Sequence, residues 1–225
     1  QKAVIRYVST NGNRVLTTDE VTGKSGEAIA YSTTSQITEF KKQGYNLVSD
    51  EFTSGGAKVY DYDTARDQVY TVTLSERVEP VNPDNPTPQP NTPVNPGQPD
   101  SPRWPGTVEN LDNKESVSRT IHYVYEDGSK AKDDVVETLN FKRWSRINLV
   151  TGQIFFQDWT TNDDTFDKVV SPTIAGYTAD KSEIPAVSGV QAKDQDRVET
   201  VTYRKDAQKA VIRYVSTNGN RVLTT

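Results

Sequence analysis

QKAVIRYVSTNGNRVLTT, residues 1–18, is the stretch that decides the fold, and it returns unchanged at residues 208–225. Within it Val4-Ile5-Arg6-Tyr7-Val8 alternates like a strand, Asn11-Gly12-Asn13 supplies a tight turn, and Arg14 to Thr18 runs back as a second strand. Alternation joined by Asn-Gly is the signature of a β-hairpin. An identical match over all eighteen positions points to a longer array with a period of 207 residues, shown once in full with the next unit begun. Near-identical arrays belong to extended surface, adhesive or scaffold proteins more than to enzymes.

Working outward, Gly23 and Gly26 are followed by a segment, Thr33 to Gln43, that reads as a short helix. Thr33 and Gln36 suit a capping box, Ile37 and Phe40 share a face, and Gly44 suits the C-terminal cap. Further strands are expected at Tyr45 to Val48, around Val59 to Tyr62 and at Val69 to Leu74. A helix laid across such a small mixed sheet is a β-grasp (ubiquitin-like) arrangement, in which Val4-Ile5 pairs centrally with Val69 to Val72.

Ten of the twelve prolines lie between Pro80 and Pro105. At intervals of two or three residues they predict polyproline II, a semi-rigid spacer of at most about 80 Å with no core of its own. A Pro-rich signalling ligand is the rival reading; it lacks basic residues beside a PxxP core.

From Ser116 the pattern of the first domain returns. Ile5-Arg6-Tyr7-Val8 with Gly12 becomes Ile121-His122-Tyr123-Val124 with Gly128; Gly44-Tyr45 becomes Gly176-Tyr177; Val69 to Leu74 becomes Val198 to Tyr203. The second copy is longer in its middle, where Thr151-Gly152 separates two apolar runs within 139–159 and reads as an inserted hairpin. The expected class is therefore α+β, mainly β: two β-grasp domains, the second with an inserted hairpin, joined by an extended Pro-rich linker. The boundaries are 1–78, a spacer at 79–105, 106–205, and the start of the next repeat at 206–225. An eighteen-residue hairpin without its helix and partner strands is marginal, so residues 208–225 are expected to fray or to pair with a sheet edge.

The hydrophobic fraction of 33% against 25% charged favours small domains with thin cores over one large core. A net charge of −5 argues against nucleic acid as a partner. The absence of Cys excludes disulfides and thiolate metal sites, and no apolar run reaches the roughly 20 residues of a membrane span.

The pattern I-x-Y-V-x-x-x-G, then G-Y, then V-x-T-V-T, resembles the mucin-binding protein (MucBP) domain family. Paired unequal domains in near-identical units with Pro-Asn-rich spacers resemble the mucus-binding repeats of lactobacillar surface adhesins. The resemblance implies β-grasp-like domains, a wall-anchored parent on a Gram-positive bacterium, mucin glycoproteins as partners alongside neighbouring repeats, and no catalytic residues. An immunoglobulin-binding module and a passive stalk are the alternatives.

Catalysis has little material in the sequence. His122 stands alone in an alternating strand, without the cleft a triad needs, and carboxylate pairs such as Asp61 with Asp63 or Asp163-Asp164 suit turns as well as glycoside cleavage. Calcium is a candidate at Asn162, Asp163, Asp164 and Asp167, with Asp194 and Asp196 a second acidic stretch, although neither matches an EF-hand loop. For glycans, Gln153, Phe155, Gln157 and Trp159 share one strand face and Ile154 and Phe156 the other; either set can be the core. Beside them, Lys142-Arg143-Trp144-Ser145-Arg146 combines cations with an aromatic, suited to sialylated or sulfated sugars or to guarding a strand edge. The glycan candidates are thus Lys142, Arg143, Trp144, Arg146, Phe155 and Trp159.

Overall fold

The computed structural model describes residues 1–219 and the backbone of 222–224. The chain forms two compact units: Gln1–Lys114 with Lys142–Thr160, and Glu115–Phe141 with Thr161–Thr225. It is mostly β, and among the described residues one α-helix is present, none long and apolar enough to cross a membrane.

In the first unit, β1 (Lys2–Ser9) and β2 (Arg14–Thr22) form the expected hairpin. The left-handed turn residues are Gly12 and Asn13, with φ of 69° and 51°. Helix α1 (Thr34–Lys42) follows, then β3 (Tyr45–Asp50) and β4 (Gln68–Glu76). The sheet order is β2-β1-β4-β3. Its central pair is parallel, with Ile5 beside Tyr70 and Tyr7 beside Val72, and its outer pairs are antiparallel. Alternation puts Ala3, Ile5, Tyr7, Val72 and Leu74 on one face, where they pack with Ile37 and Phe40 of α1. The Ile, Val, Leu and Phe side chains among them each contribute about 1.5–3 kcal/mol by leaving water.

Two local expectations fail here. Thr33 makes no capping bond; its hydroxyl, 1% exposed as a residue, donates to Asp50 Oδ2 at 2.6 Å, because β3 offers it a charged acceptor. Val59 to Tyr62 is not a strand. Val59 makes one isolated bridge to Ala28, and the Tyr60 backbone bonds the 26–27 loop, so the segment is spent on closing that loop.

The Pro-rich segment is not an extended spacer. β5 (Val78–Val81) pairs with β8 (Ser145–Asn148), which pairs with β9 (Ile154–Phe156), giving the order β5-β8-β9. Pro80 is tolerated because β5 is an edge strand. Residues 91–104 fold back on themselves through Asn91 N–H to Trp104 O, Trp104 N–H to Thr92 O and Val94 N–H to Pro102 O, each 2.9 Å. Val81, Val108 and Ile147 form a small buried cluster with Trp104, Leu111 and Ile154 packed on it. Proline spacing alone favours an open helix; these widely spaced apolar residues supply a core once the 145–156 hairpin covers them.

The second unit repeats the sheet, not the helix. β6 (Lys114–Tyr125), β7 (Lys130–Lys142), β11 (Tyr177–Ala179) and β13 (Arg197–Lys205) lie in the order β11-β13-β6-β7, with β13 and β6 parallel. The β-grasp expectation carries a helix over each sheet; among the described residues of this unit there is none. Loops around β10 (Val169–Val170) and β12 (Glu183–Ile184) cover the face instead. Arg119, 1% exposed, staples them down. It donates to Glu137 Oε2 at 2.7 Å, to the Pro185 carbonyl at 2.9 Å and to the Asp167 carbonyl, and lies 5.1 Å from the Phe166 ring centre.

Among its described residues, the second copy of the opening stretch forms β14 (Tyr214–Val215) and β15 (Val222–Thr224), paired to each other. Val211, Ile212, Tyr214 and Val215 are all exposed. For Asn220, Arg221 and Thr225, the expectation of fraying or edge pairing lies outside the described residues.

Candidate functional site

The six residues singled out for glycans all lie in the first unit, around the β8–β9 hairpin, and divide into two groups. The hairpin forms because Gly152 takes φ of 74° at its turn and Asn148 Oδ1 accepts the Val150 and Thr151 amides. Across the sheet, Pro80, Arg146 and Phe155 are register partners, as are Glu79, Ile147 and Ile154. Ile147 is fully buried and Ile154 packs on its cluster, so the alternate row faces water.

The inward-engaged group is Lys142, Arg143 and Trp159. Lys142 Nζ donates to both Asp84 carboxylate oxygens at 2.9 Å, tying the hairpin's root to the Pro-rich segment. The Arg143 guanidinium lies 3.9 Å from the Phe156 ring centre and 4.2 Å from that of Trp159, and bonds the Asp112 carbonyl at 2.7 Å and carboxylate at 3.0 Å. With its charge balanced and both ring contacts filled, Arg143 is a structural cation.

The outward group is Trp144, Arg146 and Phe155. Trp144 is 43% and Phe155 45% exposed, and Arg146, the register partner of Phe155, is exposed with no ion pair or stacking partner among the described residues. Trp144 is held by its carbonyl, which accepts the Gln157 amide at 2.9 Å. Two aromatic surfaces with an uncommitted guanidinium can stack on the apolar face of a sugar and bind a carboxylate or sulfate beside it. Pro80, in line with Arg146, extends this row; the sequence offered only the Val-x-Pro-Val alternation of residues 78–81 as a signal for it. A separate open cleft of about 630 Å³ lies between Lys42 at the end of α1 and Pro93, Gln98 and Arg103 of the Pro-rich turn. Lys42 Nζ also lies 3.5 Å from Asp100 Oδ1.

Of the other singled-out residues, several carboxylates have partners within the protein. Asp163 Oδ1 accepts the Thr165 amide and Asp164 Oδ1 the Thr165 hydroxyl, while the Asp167 carbonyl is taken by Arg119. Asp61 and Asp63 cap successive turn amides, as Asp194 caps that of Gln191 and Asp196 that of Ser118. No group of three or more His, Asp or Glu poised for a metal occurs among the described residues. His122 lies in β6 with Nδ1 2.9 Å from Asp134 Oδ2 on β7, its side chain 41% exposed.

The mainly β fold with one short helix is shared with known mucus-binding repeats. The mucin binding domain family (MucBP_2) matches residues 1–76, and the Muc B2-like domain family (Muc_B2) matches residues 108–207. The chain belongs to the MucBP family of mucin-binding domains. The type 2 repeat of the mucus binding protein MUB from Lactobacillus reuteri is similar at 27% identity, covering 92% of this chain and 100% of its own, with a TM-score of 0.59. The crystal structure of Mub-RV is similar at 26% identity with the same coverages and a TM-score of 0.72. No curated protein matches significantly. The second family match includes 142–160, which pack in the first unit, so family boundaries and compact units do not coincide.

Proposed function

We propose that this chain is a non-enzymatic adhesin repeat that holds mucin glycoproteins, with Trp144, Arg146 and Phe155 as the sugar-contacting row. Family membership supports the partner class. The observation that carries the site is Arg146, without an ion pair among the described residues, beside two exposed aromatics. The mucin reading places the parent protein outside the cell, anchored to the wall of a Gram-positive bacterium. We further read the first unit's sheet, with its helix between β2 and β3, as a β-grasp. Single contacts of this kind are weak, and linked repeats multiply them by making later contacts effectively intramolecular.

Surface plasmon resonance on immobilised mucin tests this. Arg146→Ala and the double variant Trp144→Ala/Phe155→Ala should each weaken binding about tenfold, the equivalent of one lost stacking or charge-assisted contact. Sialidase or sulfatase treatment of the mucin should reproduce the Arg146→Ala loss. Wild-type binding that none of these changes would overturn the site; no wild-type binding would overturn the function.

A further inference from the structure

We infer that both units carry tension along the chain, each through a shear clamp formed by its parallel central strands. In the first unit the chain enters at the start of β1 and runs on past the end of β4 to crossings at 114–115, 141–142 and 160–161, and the β5-β8-β9 sheet on that path is fastened to the end of β4 by Asn148 donating to Glu76 and Leu149 N–H to the Arg77 carbonyl. β1 and β4 are parallel neighbours over seven residue pairs, from Ala3 with Gln68 to Ser9 with Leu74. Entry and exit therefore lie at opposite ends of one ladder. A pull on the two slides the strands past each other, so the whole ladder resists together. Had the strands been antiparallel, the same pull would open the pairs one at a time.

The second unit repeats this arrangement from a different sequence. β6 and β13 are parallel over seven pairs, from Arg119 with Arg197 to Tyr125 with Tyr203. The chain enters this unit at the start of β6 and leaves at the end of β13. It also crosses between units at 141–142 and 160–161. The cross-strand contacts of Arg119 with Glu137 and of His122 with Asp134 put the end of β7 beside the start of β6. Thr161 donates to the Asn140 carbonyl at 2.8 Å, so the third crossing emerges at that same end. All three crossings thus pull on one end of the sheet, and Lys205 leaves at the other.

Both ladders are protected. Each parallel pair is interior to its sheet, flanked by β2 and β3 or by β7 and β11, with no free edge for water or another strand to enter. Ile5, Tyr7, Val72 and Leu74 on one ladder and Ile121 and Val201 on the other are 0% exposed, keeping water from the strained hydrogen bonds. This function goes beyond mucin recognition and requires no ligand.

Single-molecule pulling on the full chain is the test, and the absence of native Cys lets engineered thiols fix the points of attachment. Tethering through Gln1→Cys and Val78→Cys, the latter just past β4 and 43% exposed, loads the β1–β4 clamp in shear. Tethering through Gln1→Cys and Arg66→Cys grips the neighbouring starts of β1 and β4, and peels the same fold open. Since forced unfolding is governed by the unfolding rate, the shear tether should require at least about twofold higher force at equal loading rate. For the second unit, Ser116→Cys with Ala207→Cys against Ser116→Cys with Gln195→Cys makes the same comparison independently. Equal forces in both geometries for either unit would overturn the clamp there.

Discussion

Gly44 lies directly against Leu149: a Cβ built on the glycine would sit 2.8 Å from Leu149 Cβ and 3.1 Å from its carbonyl carbon. Gly44 closes α1 with φ of 96°, while Leu149 belongs to the hairpin inserted in the second sequence repeat. Around them Leu149 N–H donates to the Arg77 carbonyl at 2.9 Å, Asn148 Nδ2 donates to Glu76 at 2.7 Å, and Val150 packs on the first unit's core. The inserted hairpin is thereby part of the first unit.

Gly44→Ala should accordingly be worse than a simple cap substitution. A left-handed backbone resists any Cβ, and here the methyl also collides with Leu149. The expected loss is about 2–4 kcal/mol in urea unfolding, with faster amide exchange in β8 and β9 as well as at the end of α1. A loss under 1 kcal/mol, or exchange unchanged in β8 and β9, would contradict the contact.

Arg143 and Arg146, three positions apart, should behave oppositely. Arg143→Ala removes two ring contacts and leaves the Asp112 carboxylate without its guanidinium, a cost of about 1–3 kcal/mol. Arg146 has no side-chain partner among the described residues, and its replacement by Ala should stay within about 0.5 kcal/mol of wild type while weakening mucin binding. Thermal unfolding of the two variants in parallel checks this; equal destabilisation would mean the two faces of the hairpin are misassigned.

What the sequence disclosed follows from locality. β1, the helix and β4 were legible because alternation, helical spacing and turn glycines are local signals. The parallel pairing of Val4 and Ile5 with Val69 and Tyr70 was legible only as an inference from topology. β5 was hidden because residues 78–81 sit at the start of a proline run, and their pairing partners at 145–148 are remote. Thr33 was misread for the same reason: a capping rule sees Gln36, not Asp50 in the next strand. At the site, the six glycan candidates were found together, yet their division depended on Asp84 and Asp112, which no local pattern connects to residues 142–143. Nor could spacing show that Arg119 would replace a helix as the fastening of the second unit's cover.

Alkaline pH should unfold the protein. The Tyr7, Tyr31 and Tyr70 phenols of the first unit, and those of Tyr123 and Tyr203 in the second, are pushed above the ordinary value of 10.0, burial being the first cause in each. For Tyr31 the hydrogen bonds with Asp19 and Tyr7 add to it. A raised folded-state pKa means the unfolded chain loses its protons first. Stability from these groups is therefore complete below pH 10 and lost as pH rises above it. Tyrosinate absorbance should rise together with loss of β signal above that point. Tyr31→Phe should weaken the fold at neutral pH, since Asp19 loses its donor, and make the alkaline loss shallower. Tyrosinate appearing near its ordinary pKa in fully folded protein would contradict this.

The duplicated stretch allows one substitution to be made twice in the same local sequence. Ile5 is 0% exposed between β2 and β4 beneath α1, whereas its identical counterpart Ile212 is 68% exposed. β1 runs eight residues, and the corresponding β14 only two. Sequence alone therefore does not set the strand's length; the covering helix and the parallel partner do. Ile5→Ala should cost about 2–5 kcal/mol, the usual loss for emptying a packed site. Ile212→Ala should stay within about 0.5 kcal/mol, as for a surface position. Urea denaturation of both variants, with hydrogen exchange to assign the transition to the first unit, gives the comparison. Equal costs at the two positions would show that the second copy also buries its apolar residues in solution.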